Sequence, residues 1–167
     1  MQTFIPLATT DPNKIAEIID NKRLHKQALE AWQILMVLLE IDPEGNPRKP
    51  KGWVNHPAVK MWRGNEAALY LYAQAMVREW KHRGFKSTLR EKLHSTVTKS
   101  HNLALLMQLS TDNASAPQWM ADQSLFEEIA SSHRKALLVK DYKWYSQFNW
   151  PEDSGVTPTG YDYIWPL

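Results

Sequence analysis

Glu30 stands out chemically because of what lies one and two helical turns before it. In the run Asn21-Lys22-Arg23-Leu24-His25-Lys26-Gln27-Ala28-Leu29-Glu30, helical spacing puts Arg23, Gln27 and Glu30 on a polar stripe. Leu24, Ala28, Ala31, Leu35 and Leu38 form the apolar face that this stripe borders. A carboxylate on such a border is the kind whose proton affinity its surroundings can tune, which suits acid–base or electrostatic work. The plainer alternative is a solvated helix face carrying an ordinary glutamate, and pattern alone leaves both open.

Other chemistries lack their usual signals. There is no Gly-rich phosphate loop, no His-Glu-x-x-His and no Gly-x-Ser-x-Gly. The six histidines, His25, His56, His82, His94, His101 and His133, include no i,i+4 pair, so each reads as a cap or hydrogen-bonder and no metal site is expected. With zero cysteines, a disulfide framework, a thiolate nucleophile and cysteine-held zinc or iron–sulfur are all excluded.

The elements that must position Glu30 point to an all-α fold. The 167 residues, 43% hydrophobic and 23% charged, suit one compact helical domain over 1–167. Asp11-Pro12 reads as a cap and first helical residue, with helix to about Glu40 and a break near Asp20-Asn21. Residues 41–54, with Pro43, Gly45, Pro47, Pro50 and Gly52, read as an exposed loop. Asn55-His56-Pro57 opens a long central helix running to Gly84. Ser87 or Thr88, the latter with Glu91 as a capping box, starts the next, and 103–109 reads as buried helix. After a loop at 110–118, a helix spans about 123–140. An aromatic segment at 142–150 and a Pro/Gly tail rich in aromatics complete a bundle with long loops and an extended C-terminal tail.

The start, Met1-Gln2-Thr3-Phe4-Ile5-Pro6, has no basic n-region and no long apolar run, so the expectation is a cytoplasmic protein without signal peptide or membrane span. The net charge of +2 does not by itself announce a nucleic-acid partner. Eight tryptophans are many, and several lie in polar, proline-containing stretches where bases could stack.

Five segments, in this order and spacing, resemble the pyrimidine-dimer DNA glycosylase/AP lyase family of the phage endonuclease V type. They are Asn21 to Glu30, Trp53-Val54-Asn55-His56-Pro57-Ala58-Val59-Lys60-Met61-Trp62, Glu79-Trp80-Lys81-His82-Arg83-Gly84-Phe85, Ser132-His133-Arg134 and Lys143-Trp144-Tyr145. The resemblance covers roughly residues 15–150 and is closer to phage and bacterial relatives known mainly by sequence.

The resemblance implies a monomeric repair enzyme that acts on double-stranded DNA carrying a lesion, with no metal, organic cofactor, membrane or obligate protein partner. It puts Glu30 at the catalytic carboxylate and Arg23 at a polar position that helps hold DNA. The implied chemistry is attack by the chain's N-terminal amine on the sugar C1′ to give an imine, followed by β-elimination. The family removes Met before a small residue, whereas Gln2 is bulky. The amine could therefore belong to Met1, to Gln2, or to a lysine such as Lys22 or Lys26. Phe4-Ile5-Pro6 would form an apolar arm that packs into the bundle.

Expected DNA contacts are Lys22, Lys26, Gln27, Arg48, Lys49, Lys51, Arg83, Lys86, Arg134 and Lys140, with His56 a cap or phosphate contact and Trp144, Tyr145 and Phe148 candidates for stacking on unpaired bases. Leu29 and Gln33 stand where the family has arginines, which opens the alternatives of another damaged or modified base, or of a catalytically silent binding module on the same scaffold.

Overall fold

Asp11 accepts the Asn13 N–H and Pro12 occupies the first turn, so α1 (Pro12–Ile18) begins where a missing donor costs nothing. Asp20 then caps α2 (Asn21–Leu38), giving the break expected at that point. The computed structural model describes residues 2–111 and 115–166, and among them the secondary structure is helical apart from one isolated bridge between Ile41 and Pro47. That bridge lies in the expected 41–54 loop, which leads into a 3-10 turn at Trp53–Asn55.

The central helix is interrupted: α3 (Pro57–Trp62) and α4 (Glu66–His82) are separate elements. Gly64 between them has φ +77°, a left-handed conformation that breaks the hydrogen-bond ladder, and Gly84 at φ +88° stops α4. α5 (Leu89–Lys99) starts without the expected capping box, since the Thr88 side chain caps nothing and Ser87 Oγ instead accepts the Leu89 N–H.

The expectation of a buried helix at 103–109 is corrected. In α6 (Leu103–Ser110) only Leu105 is buried, while Leu103 and Met107 are 72% and 67% exposed. This helix rests one edge on α4 and α5 and leaves the rest outward. Part of the 110–118 loop, residues 112–114, lies outside the described residues. α7 (Gln123–Lys140) is capped by Asp122, and α8 (Tyr142–Tyr145) by Asp141. Among the described residues no helix is long and apolar enough to cross a membrane.

Among the described residues the α2–α4 pair is the most extensive helix contact, and one hydrophobic cluster draws on all eight α-helices. Through it threads the N-terminal arm, with Thr3 and Ile5 fully buried and Phe4 4% exposed. A lone extended segment in a core has no strand beside it, so its polar backbone groups need side-chain partners. Three helices, α2, α4 and α7, supply them. Gln27 Oε1 accepts the Phe4 N–H at 2.7 Å, His133 Nδ1 accepts the Ile5 N–H at 2.8 Å, the Tyr72 hydroxyl donates to the Phe4 carbonyl at 2.8 Å, and Arg134 donates to the Pro6 carbonyl at 3.2 Å. Trp62 Nε1 adds a bond to Thr3 Oγ1 at 2.8 Å. The apolar arm expected at Phe4-Ile5-Pro6 therefore packs into the bundle and is fixed in register.

Candidate active site

The arm's register carries the backbone nitrogen of Gln2 to Glu30: Gln2 N lies 2.5 Å from Glu30 Oε2. Glu30 reaches this point from the third turn of α2, on the edge bordered by buried Gln27 and Ala31, with its side chain only 14% exposed. Lys26, one turn earlier, sets its ammonium 3.8 Å from Glu30 Oε1. Met1 lies outside the described residues, so the site is built from residue 2 onward.

Around the pair is a cleft of about 410 Å³ lined by Gln2, Phe4, Lys22, Arg23, Lys26, Gln27, Glu30, Lys140 and Tyr163. Four cationic side chains line it against one carboxylate; with Arg23 paired to Asp20 and Lys26 beside Glu30, Lys22 and Lys140 leave it net basic, the electrostatics that draw in a phosphodiester. Larger cavities of about 440 Å³ beside Trp53 and Arg48 and about 740 Å³ beside Arg134 and Glu152 are lined by neither Glu30 nor the arm, so the Glu30 cleft is where the chemistry converges. Among the described residues no group of three or more His, Asp or Glu side chains converges as a metal site would require.

The expected site residues divide into two sets. Lys22, Lys26, Arg23, Gln27, Lys140, Gln2 and Glu30 come together in the cleft. Arg23 lines it while donating to Asp20 Oδ2 at 2.8 Å and to the Lys140 carbonyl at 2.9 Å, which ties the start of α2 to the end of α7. His56 caps α3 through Nδ1 to the Ala58 N–H, between Trp53 and Trp165. Burial lowers the His56 pKa, and the charge of Glu30 works in the opposite direction.

The other set has internal partners. Arg83 spends its guanidinium on Glu79 and on the carbonyls of Ala16, Glu17 and Ile19, closing the C-terminal end of α1. Arg134, 6% exposed, pairs with Glu152 and Glu127 and holds the Pro6 carbonyl. Tyr145 is fully buried with its hydroxyl on Asp20, so it offers no face to a base, and Trp144 is half-buried with its indole N–H on the Ile18 carbonyl. These four side chains are held by partners within the protein. Lys86 is exposed but lies outside the cleft lining.

Besides Phe4 of the arm, the aromatics at the cleft come from the tail. Tyr163 lines it directly, against Phe4 and His133. Tyr161 takes a 2.7 Å hydrogen bond from Lys140 Nζ, which lowers its pKa, and Trp165 continues the row to His56. Burial pushes the Tyr163 hydroxyl up, and neighbouring Tyr161 and Glu30 add to the shift. Sequence reasoning assigned these three no role. The readable signal was the alternation Tyr161-x-Tyr163-x-Trp165, with Asp162 and Ile164 exposed between.

An all-helical domain that buries its leading segment and sets that segment's first described nitrogen on a carboxylate, inside a basic cleft, is the class of protein these features define. The chain belongs to the pyrimidine dimer DNA glycosylase family: the family model of that description matches residues 1–92. The match takes in the arm, α1 to α4 and the start of α5, and so both Gln2 and Glu30. No curated protein and no solved structure matches the chain. Membership makes the protein a DNA glycosylase by family, with DNA as its substrate.

Proposed function

We propose that the protein excises pyrimidine dimers from duplex DNA and then cuts the strand, with the α-amine of Gln2, freed by removal of Met1, as nucleophile and Glu30 as the catalytic carboxylate. The observation that carries this reading is the 2.5 Å contact between Gln2 N and Glu30 Oε2. Once residue 2 is terminal, the same nitrogen is an amine already seated on an acid. An α-amine has a reference pKa of about 8 against about 10.4 for a lysine side chain, and so as a class supplies more free base at neutral pH.

The amine forms a bond to C1′ as the C1′–N glycosidic bond breaks, and the base leaves with the electron pair. Glu30, ionised beside C1′, stabilises the positive charge that develops on the sugar. The nitrogen then loses a proton and its lone pair forms the C1′=N bond as the C1′–O4′ bond breaks, O4′ taking up a proton; the ring-opened imine acidifies C2′. Removal of a C2′ proton then expels the 3′ phosphate by β-elimination. Lys22, Lys26 and Lys140 hold the flanking phosphates, and the Tyr163 ring borders the opened site. A lesion is cheaper to unstack than an intact pair, so the cost of extrusion itself discriminates.

A second reading keeps this chemistry and changes the lesion. It is favoured by Leu29, which packs partly buried against the core, and by Gln33: neither supplies the cation that the family carries there.

Nicking of ultraviolet-irradiated supercoiled plasmid in EDTA tests the proposal. The wild type is expected to nick irradiated but not intact plasmid. Glu30→Gln should lose about 10²–10³-fold, the usual cost of deleting one electrostatic stabiliser. An E30Q variant that cuts as fast as wild type would remove Glu30 from the mechanism. Activity on other damaged bases alone would favour the second reading, and no activity on any damaged DNA would leave a binding module.

A further inference from the structure

His133 is fully buried in α7, and both of its ring nitrogens are engaged by the N-terminal arm. Nδ1 lies 2.8 Å from the Ile5 nitrogen, and Nε2 lies 2.8 Å from the side-chain amide of Gln2. A backbone N–H only donates, so Nδ1 accepts, and the neutral ring must carry its proton on Nε2. Burial keeps the ring neutral, with its pKa lowered to about 3.

An Nε2–H donor needs an acceptor, so the Gln2 atom facing it is the carboxamide oxygen. With the nitrogen there instead, two donors oppose each other at 2.8 Å while Gln2 Oε1 is buried without a partner. Turning the amide relieves the opposed donors; it gives up the 3.2 Å contact to the Thr3 carbonyl and sets the carboxamide nitrogen where Oε1 had no partner. Gln2 is then gripped at both ends, its backbone nitrogen on Glu30 and its side-chain oxygen on His133.

We propose that His133 is a positioning residue for the nucleophile: by clasping the Gln2 side chain it keeps the residue 2 nitrogen on Glu30 and prevents that nitrogen from closing on its own carboxamide. This rests on the reading of Gln2 as the N-terminal residue. A terminal glutamine has an intramolecular dead end. Its α-amine attacks Cδ, an N–Cδ bond forms, the Cδ–Nε2 bond breaks, and ammonia leaves with the proton it needs from the amine. The five-membered lactam that remains has no basic amine and cannot form an imine. Ring closure requires the carboxamide to leave His133, so the clasp opposes inactivation as well as orienting the amine. It also gives the bulky residue at position 2 a function that a small residue would not serve.

The test exposes Gln2 as first residue by cleaving a removable N-terminal fusion from the full chain, then follows loss of one ammonia by intact mass. The reference rate is that of the same chain unfolded in urea. The folded wild type should cyclise at least about tenfold more slowly, the rate equivalent of one buried hydrogen bond. His133→Asn keeps an acceptor near Ile5 but cannot reach Gln2. It should cyclise close to the unfolded rate and lose borohydride-trapped DNA adduct in step with the lost amine. His133→Gln, which reaches the Nε2 position, should restore part of the protection.

A folded wild type that cyclises as fast as in urea, or a folded His133→Asn that cyclises as slowly as wild type, overturns the clasp. Should His133→Asn fail to fold, the comparison of folded with unfolded wild type and the partial rescue by His133→Gln still decide. A wild type that keeps its amine yet traps no damaged DNA overturns the catalytic role of Gln2 and leaves the clasp standing.

Discussion

Replacing Gln27 by Met removes an acceptor from the arm while nearly conserving volume. In the native protein Gln27 Oε1 receives the Phe4 N–H at 2.7 Å and lies 3.0 Å from the Tyr72 hydroxyl. Tyr72 has a single proton and a second acceptor, the Phe4 carbonyl at 2.8 Å, so it keeps a partner in the variant. Only the Phe4 N–H is orphaned, at a residue 4% exposed. One unsatisfied buried donor costs about 1–3 kcal/mol. For a chain of this size that is a fall of roughly 2–12 °C in Tm, at about 2–4 °C per kcal/mol. The larger effect should be on catalysis, because Phe4 is two residues from the Gln2 nitrogen, and an ångström of misplacement costs about 10²-fold. The assay is imine trapping on damaged duplex at a temperature where both proteins are folded, beside a thermal melt. A Gln27→Met protein that is destabilised as expected but traps at the wild-type rate would refute the idea that α2 sets the amine's position through this bond.

Lys22→Ala with Lys26→Ala should leave stability within about 0.5 kcal/mol and lower DNA affinity, with the slope of log K against log salt falling by about 2, one per lost phosphate contact. Arg134→Met should do the reverse. Glu152 is buried enough to raise its pKa, yet the Arg134 hydrogen bonds outweigh that and hold it low, so removing the arginine strands a charge at a cost of about 3–5 kcal/mol in a urea melt, with no change in the salt slope. Acid should destabilise the protein through His133. Its folded pKa of about 3 lies below the ordinary histidine value of 6.5, so between these values the unfolded chain binds the extra proton. Stability is then lost as pH falls through that window, at a limiting slope of about 1.4 kcal/mol per pH unit. His133→Asn should flatten this segment of the pH–stability curve.

The first cap, the break before α2 and the polar stripe were legible because they are local. Asp11-Pro12, Asp20 before α2 and the Arg23, Gln27, Glu30 spacing each express their consequence within one or two turns. The arm's partners were not, since Gln2 meets His133 across 131 positions and Thr3 meets Trp62 across 59, and no periodicity encodes such pairs. Arg83 and Arg134 show the same limit for charge. A guanidinium bound for phosphate and one bound for internal carbonyls have the same spelling, and only burial separates them. The α3–α4 break was within reach, because Gly64-Asn65 carries a turn signal that the apolar pattern on either side obscured. Exposure on α6 was hidden by composition: Leu103, Met107 and their neighbours read as core, and the fold offers that helix only one supporting edge.

The central claim is that the nitrogen of residue 2 bonds to the sugar. Borohydride reduction of the protein mixed with dimer-containing duplex, followed by proteolysis and mass mapping of the adduct, tests it most directly. The account predicts a sugar fragment on the α-nitrogen of Gln2, abolished when that amine is acetylated. An adduct on Lys22 or Lys26, on a retained Met1, or on nothing at all would contradict it.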